Sequence, residues 1–273
     1  MLKLEEYVKP LNKKPKPKAD GEVIYYIDRK LVDKDDEIAM GLRLVCNRYL
    51  FGLGYRQLMY EHFEKMGKNS GILIKPFAKS DEILPTLKFP GDIDYLIIPY
   101  ENDELIVSKA IAVELKIIRA KFIKQDKSPN EFGFSQARGL IEAGFPYVGV
   151  IHLIVSDQSP NSYWREMLIA QVVDSKTGEI ELLAPIKKDM MPSDLMNRAK
   201  GRLISNCPDN TIGLLSTYFD KTLEGGGNWF PTGRSAQFNQ KCNFEILDRI
   251  GEYYYRNYQQ FMDTRKYPED NRE

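Results

Sequence analysis

The run YVGVIHLIV, residues 147–155, constrains the fold more than any other part of the chain. It is apolar at nearly every position and rich in β-branched residues, so it lacks the alternation of a strand with one wet face. A helix crossing a bilayer needs about 20 apolar residues, which this run does not supply. It fits a strand covered on both sides, and helices joined to the strand by crossovers are the usual cover. An α/β architecture is therefore expected.

Other elements follow from periodicity and punctuation. Between residues 34 and 65, apolar side chains recur at three- and four-residue steps (Ile38, Leu42, Val45, Tyr49, Leu58, Phe63), predicting one or two helices around Gly52 and Gly54. GILIKPF (71–77) and DIDYLII (92–98) predict strands on either side of a polar loop holding Pro85 and Pro90, and a third strand lies within 105–118. FSQARGLIEA (134–143) predicts a helix closed by Gly144 and Pro146. The order is helix, three strands, helix, strand. Segments 168–174 and 179–186 predict a hairpin that extends or flanks the sheet. Segments 193–205 and 244–262 predict helices, with a glycine-rich loop at Gly225, Gly226 and Gly227 between them and a polar tail after Lys266. The chain thus divides into a basic arm and lead-in (1–32), a core with its hairpin (33–190) and a helical extension packed on that core (191–273).

Composition limits the class of protein. The chain has 273 residues, 42% hydrophobic and 29% charged, enough for one large domain and incompatible with wholesale disorder. Its N-terminus, MLKLEEYVKP, has no apolar core of a signal peptide, so a cytoplasmic location and no membrane partner are expected. Cys46, Cys207 and Cys242 are widely separated and form no CxxC pair, so they are read as buried thiols. Lysine plus arginine and aspartate plus glutamate balance at 39 each, but the distribution is uneven: KPLNKKPKPK (9–18) reads as an extended basic arm, a solvated tail or a phosphate contact.

The chemistry lies in AIAVELKIIRA (110–120), where Glu114 and Lys116 interrupt an apolar strand. Alternation places the two on one face about 7 Å apart. By itself this is satisfied by a half-exposed ion pair, since the ExK spacing is common by chance. The preceding strand adds Asp92 and Asp94, so three carboxylates and a lysine can converge. Clustered carboxylates repel one another and are best retained around a divalent cation; oxygen-only ligation suits Mg²⁺ or Mn²⁺ better than zinc. A lysine beside such a cation can orient an attacking water and neutralise charge on phosphate, a combination suited to phosphodiester hydrolysis.

With Asp94 in GDID, Glu114 and Lys116 in VELK, and Gln136 opening the next helix, residues 35–156 resemble the PD-(D/E)xK nuclease superfamily. The resemblance implies a restriction-endonuclease-like core, a mixed sheet with order α-β-β-β-α-β flanked by helices, here with a C-terminal β-hairpin and helical extension. It implies a metal-dependent nuclease acting on DNA, an endonuclease in preference to an exonuclease because Leu140 stands where the RecB-like subgroup has tyrosine. Asp94 and Glu114 would bind Mg²⁺, with Mn²⁺ as a substitute, Leu115 would lend its carbonyl, Lys116 would act on the water, and Gln136 would help arrange the site. Asp92 remains a second ligand or a cap; Glu37 and Glu61 are both candidates for the first-helix glutamate that many members carry, and each reads in the first place as an ordinary exposed helix charge. A homodimer is compatible with this reading; the rival is a nucleic-acid-binding or assembly protein that keeps the fold without cleavage.

The spacing sets a geometric condition. A tight turn at Asn102 and Asp103 would place Asp94 opposite Ile111, three residues (~10 Å) from Glu114, so a bulge or wider loop is required between Asp103 and Ala112. Other chemistries find little support: only His62 and His152 exist, and no HExxH, Walker A, GxGxxG or GxSxG motif occurs. His152 reads as a core residue. The set Tyr253, Tyr254, Tyr255, Tyr258 and Phe261 reads mainly as core at helical spacing, and Arg119, Lys121 and Lys124 as phosphate contacts or a solvated loop.

Overall fold

The computed structural model describes residues 3–85, 91–126, 129, 132–220 and 229–266. Pro90, the triple glycine at 225–227 and the tail after Lys266 lie outside them. A short strand β1 (Lys9–Pro10) precedes four helices, α1 (Arg29–Asp33), α2 (Glu37–Cys46), α3 (Arg48–Leu58) and α4 (Tyr60–Lys65). Then come β2 (Ser70–Ala78), α5 (Ser80–Ile83), β3 (Ile93–Glu101), β4 (Glu104–Leu105), β5 (Ile111–Arg119), α6 (Phe134–Glu142) and β6 (Tyr147–Val155). The hairpin strands β7 (Arg165–Asp174) and β8 (Glu179–Lys188) follow, then α7 (Met191–Asn206), β9 (Gly213–Tyr218), β10 (Thr232–Arg234), α8 (Phe244–Asn257) and β11 (Met262–Arg265).

Nine strands form one mixed sheet. Antiparallel pairing joins β11, β2, β3 and β5; β5, β6 and β9 are parallel; β10 closes one end antiparallel to β9. The parallel centre explains the unbroken apolarity of β6, buried at every position. One face carries Leu96, Ala112, Val148 and Val150 against α6 and α8. The other carries Tyr95, Ile97, Val113 and Leu115 against α2 and α3. No helix among the described residues is long and apolar enough to cross a membrane.

Several expectations change. The helical region at 34–65 is three α-helices, broken at Asn47, whose side chain accepts from the Leu50 N–H, and at Met59. The C-terminal part is not a purely helical extension. It supplies β9, β10 and β11 to the sheet, and the predicted helix at 244–262 stops at Asn257 because Phe261 turns into the core while β11 pairs with the edge of β2. The hairpin is a separate two-stranded sheet and does not extend the main one. The basic arm is docked: β1 pairs with β4, Leu11 is buried, and the hydroxyls of Tyr254 and Tyr255 donate to the carbonyls of Lys13 and Pro10. Of the three cysteines only Cys242 is buried; Cys46, at the end of α2, is exposed.

Candidate metal centre

The register of β3 and β5 builds the site. Tyr100 opposes Leu105 through the turn at Asn102 and Asp103, but Tyr95 opposes Val113 instead of Ala110, an offset of three residues. The 3-10 turn Val107–Lys109 absorbs those three residues. Here is the irregularity that the spacing demands, and it continues the ladder so that Asp94 falls beside Glu114. The strands part at that point: Asp94 Oδ2 accepts the N–H of Leu115 at 2.6 Å, replacing a ladder hydrogen bond with a carboxylate.

Glu37 comes from the first residue of α2, which Asp36 caps by accepting the Ile38 N–H. One carboxylate oxygen from each of Glu37, Asp94 and Glu114 lies within 4.8 Å of the others. Lys116 Nζ stands 2.6 Å from Glu114 Oε1 and 3.7 Å from Glu37 Oε1. Glu114 is 3% exposed and Asp94 8%, so bulk water cannot screen their repulsion.

Burial, then the charge of Glu114, pushes the Asp94 carboxyl well above the usual range. Burial raises Glu114 and Glu37 as well, against the pull of Lys116. Burial opposes the charge on Lys116, but the hydrogen bond and charge of Glu114 outweigh it and hold the ammonium protonated above its ordinary range. Three carboxylates and one ammonium leave a formal charge of about −2 when all are ionised, which one divalent cation balances. The donors are all oxygen, and their spacing suits ligand bonds of about 2.1–2.5 Å after small side-chain adjustments.

Of the remaining candidates, Asp92 pairs with Lys79 at 2.7 Å and is not among the clustered carboxylates. Glu61 is exposed on α4, so the first-helix glutamate of the cluster is Glu37. Gln136 is the third residue of α6; among the described residues its buried Oε1 has no hydrogen-bond partner, and no hydrogen bond joins it to the three carboxylates. The Arg119 guanidinium donates to the carbonyls of Lys34 and Asp35, fixing the turn before α2, and from there its charge pulls against the burial that raises Glu37. Lys121 and Lys124 pair with each other in a backbone bridge.

Two supporting residues escape sequence reasoning. Gly133, at φ 83, caps α6 so closely that a Cβ there would stand 2.8 Å from Glu114 Cγ. His152 lies beside Lys116 in the parallel β5–β6 register, is wholly buried, and has its ring Nε2 3.2 Å from the Phe132 carbonyl. Only an N–H can donate there, so Nε2 carries the proton and the ring braces the entry to α6. Burial lowers its pKa to about 4, keeping it neutral beside Lys116. Neither role has a local signature, since each depends on which strand lies alongside β5.

No family model matches the chain, and no curated protein or solved structure is similar to it at a significant level.

Proposed function

We propose that this protein is a metal-dependent nuclease that hydrolyses DNA phosphodiester bonds. The observation that carries the reading is the convergence of Glu37, Asp94 and Glu114 around one point with the Lys116 ammonium against them. The sequence resemblance to PD-(D/E)xK nucleases and the order of helix, antiparallel strands, helix and parallel strand around that point agree with it. Glu37, Asp94 and Glu114 would hold Mg²⁺ or Mn²⁺, with the Leu115 carbonyl as a further donor; the cation supplies Lewis acidity at a phosphate and acidifies bound water. Lys116, relieved of part of its pairing with Glu114, orients the attacking water and offsets charge on the phosphoryl oxygens. Gln136, with a buried amide oxygen that lacks a partner, is suited to position that water or its neighbours.

The test is cleavage of circular plasmid, linear duplex and single-stranded DNA in Mg²⁺, Mn²⁺ or EDTA by wild type, Lys116→Ala and Glu114→Gln. Divalent-dependent cleavage is expected from wild type, falling by about 10²–10⁴-fold in either variant. Products from plasmid identify an endonuclease. Cleavage that persists in both variants assigns the activity elsewhere and overturns the reading.

A further inference from the structure

A second large feature lies apart from the carboxylates, none of which lines it. A cleft of about 1310 Å³ is walled by α3, β2, β11 and the N-terminal arm, whose Pro15–Lys18 stretch passes over it. Small-molecule sites fill about 300–1,000 Å³, so this space suits a longer ligand. Seven lysines and arginines line it against one carboxylate, Asp263, which already accepts the Tyr100 hydroxyl at 2.8 Å. In a chain of zero net charge, composition alone does not produce this imbalance.

Some of these cations have no ion pair among the described residues, although Lys18 pairs with Glu22 at 3.1 Å and the charges of Glu82 and Asp92 act on Lys75. Among the described residues, neither Lys16, Arg48 nor Lys75 has a carboxylate within ion-pair distance, whereas Arg56 is paired with Glu64 at 2.8 Å. Lys75 is half-buried, and its Nζ donates only to the Pro76 carbonyl at 3.1 Å. Aromatic rings alternate with the charges. Tyr49, 57% exposed, stands next to Arg48; Tyr25 and Phe77 line the same space, and the buried Tyr55 hydroxyl in its wall has no hydrogen-bond partner among the described residues.

We propose that this cleft binds single-stranded nucleic acid, with backbone phosphates on Lys16 and Arg48 and unpaired bases on Tyr49 and its neighbours. The inference rests on the nuclease reading for its purpose and deepens it by naming the form of the substrate. Cations interleaved with rings, of which Tyr49 is exposed and Tyr25 and Phe77 are half-buried, match a strand whose bases show their faces, which a duplex hides. The arm that lines the space keeps its proline-bracketed lysines extended along a backbone. It is held there by the Lys16 N–H donating to Gln259 Oε1 at 3.3 Å and by the Tyr254 hydroxyl on the Lys13 carbonyl at 2.6 Å.

Two lining residues tie the cleft to elements that carry, or pair with, the carboxylates. Leu42 lines its inner end and follows Glu37 by five residues on α2, about 7.5 Å of helix rise. Phe77 also lines it. Its φ of 50 is unusual within a strand, and it sits across from Asp94, between the pairs Pro76 with Tyr95 and Ala78 with Ile93. Phe77 thus belongs both to the lining of the cleft and to the strand that pairs with β3 beside Asp94.

The test measures binding in EDTA, where no cleavage occurs, by fluorescence anisotropy of labelled oligo(dT) and of a blunt hairpin duplex, using wild type, Arg48→Glu, Lys16→Glu and Tyr49→Ala. All three positions are exposed, and circular dichroism confirms the fold of each variant. Oligo(dT) is expected to bind more tightly than duplex. Each charge reversal weakens it by ~10-fold or more and reduces the salt slope by about 1, and Tyr49→Ala weakens it by ~10-fold. Equal affinity for duplex, no binding by wild type, displacement by inorganic phosphate as readily as by unlabelled strand, or unchanged binding in the variants overturns the proposal. Strand binding that meets these expectations without divalent-dependent cleavage leaves the cleft assignment standing and removes the nuclease reading; cleavage with none of these effects does the reverse.

Discussion

Asp94 shows how a residue made for a ligand costs the empty protein stability. Its carboxylate is nearly buried beside Glu114 and Glu37, and among the described residues its neutralising contacts are the Leu115 N–H at 2.6 Å and the shared Lys116. Burial and repulsion push its pKa from 3.8 up to about 8, so the folded protein binds a proton that the unfolded chain has released above pH 4. The sign follows: this group's contribution is fully present at acid pH and is lost as pH rises from about 4 through about 8. Asn at this position keeps the acceptor for Leu115 and removes the charge. In EDTA, Asp94→Asn is therefore expected to be more stable than wild type, by an excess that grows as pH rises through that window. In Mg²⁺ the order narrows or reverses, because the cation stabilises wild type and not the variant. Urea denaturation at several pH values, with and without Mg²⁺, reads both effects; a variant less stable than wild type in EDTA at pH 8 would show that the carboxylates do not repel.

Among the elements, a three-residue turn and a glycine do the positioning. Without Val107–Lys109 the β3–β5 ladder would continue from Tyr100 opposite Leu105, and Asp94 would face Ile111. This need was legible in the sequence because strand spacing is fixed and the loop length could be counted. The form of the solution, a 3-10 turn with Val107 and Ser108 buried, was not, because it depends on packing against α8 and the N-terminal segment. Gly133 sets the approach of α6 to β5 in the same way. Gly133→Ala combines a left-handed backbone with a Cβ 2.8 Å from Glu114 Cγ, whereas Gly178→Ala, at φ 74 in the hairpin turn, meets nothing within 4 Å. Both lose about 1–2 kcal/mol to the backbone. Gly133→Ala loses more, and it alone weakens Mg²⁺-dependent stabilisation, as thermal melts with a Mg²⁺ titration would read; equal losses at the two glycines would mean that α6 is free to shift away from Glu114.

Across the whole molecule, the sheet and its two helical layers carry stability while the β7–β8 hairpin stands apart. Leu168 is 72% exposed, Leu182 68% and Val172 63%, and no substantial packing joins the hairpin strands to any other element. A lone hairpin is marginal in water, so it contributes little to the fold. Replacing residues 169 to 183 with Asn-Gly, leaving Arg165 paired with Asp194, is expected to change unfolding free energy by less than about 1 kcal/mol. Denaturant unfolding tests this, and a loss several times larger would place the hairpin within the cooperative core. What the amino-acid sequence determined by itself was local or countable: the apolar runs of β2, β3, β5 and β6, the helix ending at Gly144, the ExK pair on one strand face, and the register mismatch needing an insertion. These follow from backbone periodicity and steric rules acting within a few residues. Tertiary structure alone decided that Glu37, and neither Glu61 nor Asp92, joins Asp94 and Glu114, that β9 and β11 enter the sheet, that His152 stands beside Lys116, and that the basic arm roofs a cleft. Each of these joins groups far apart in the chain, and their meeting is set by how the layers pack, a property of the whole core that no short segment encodes.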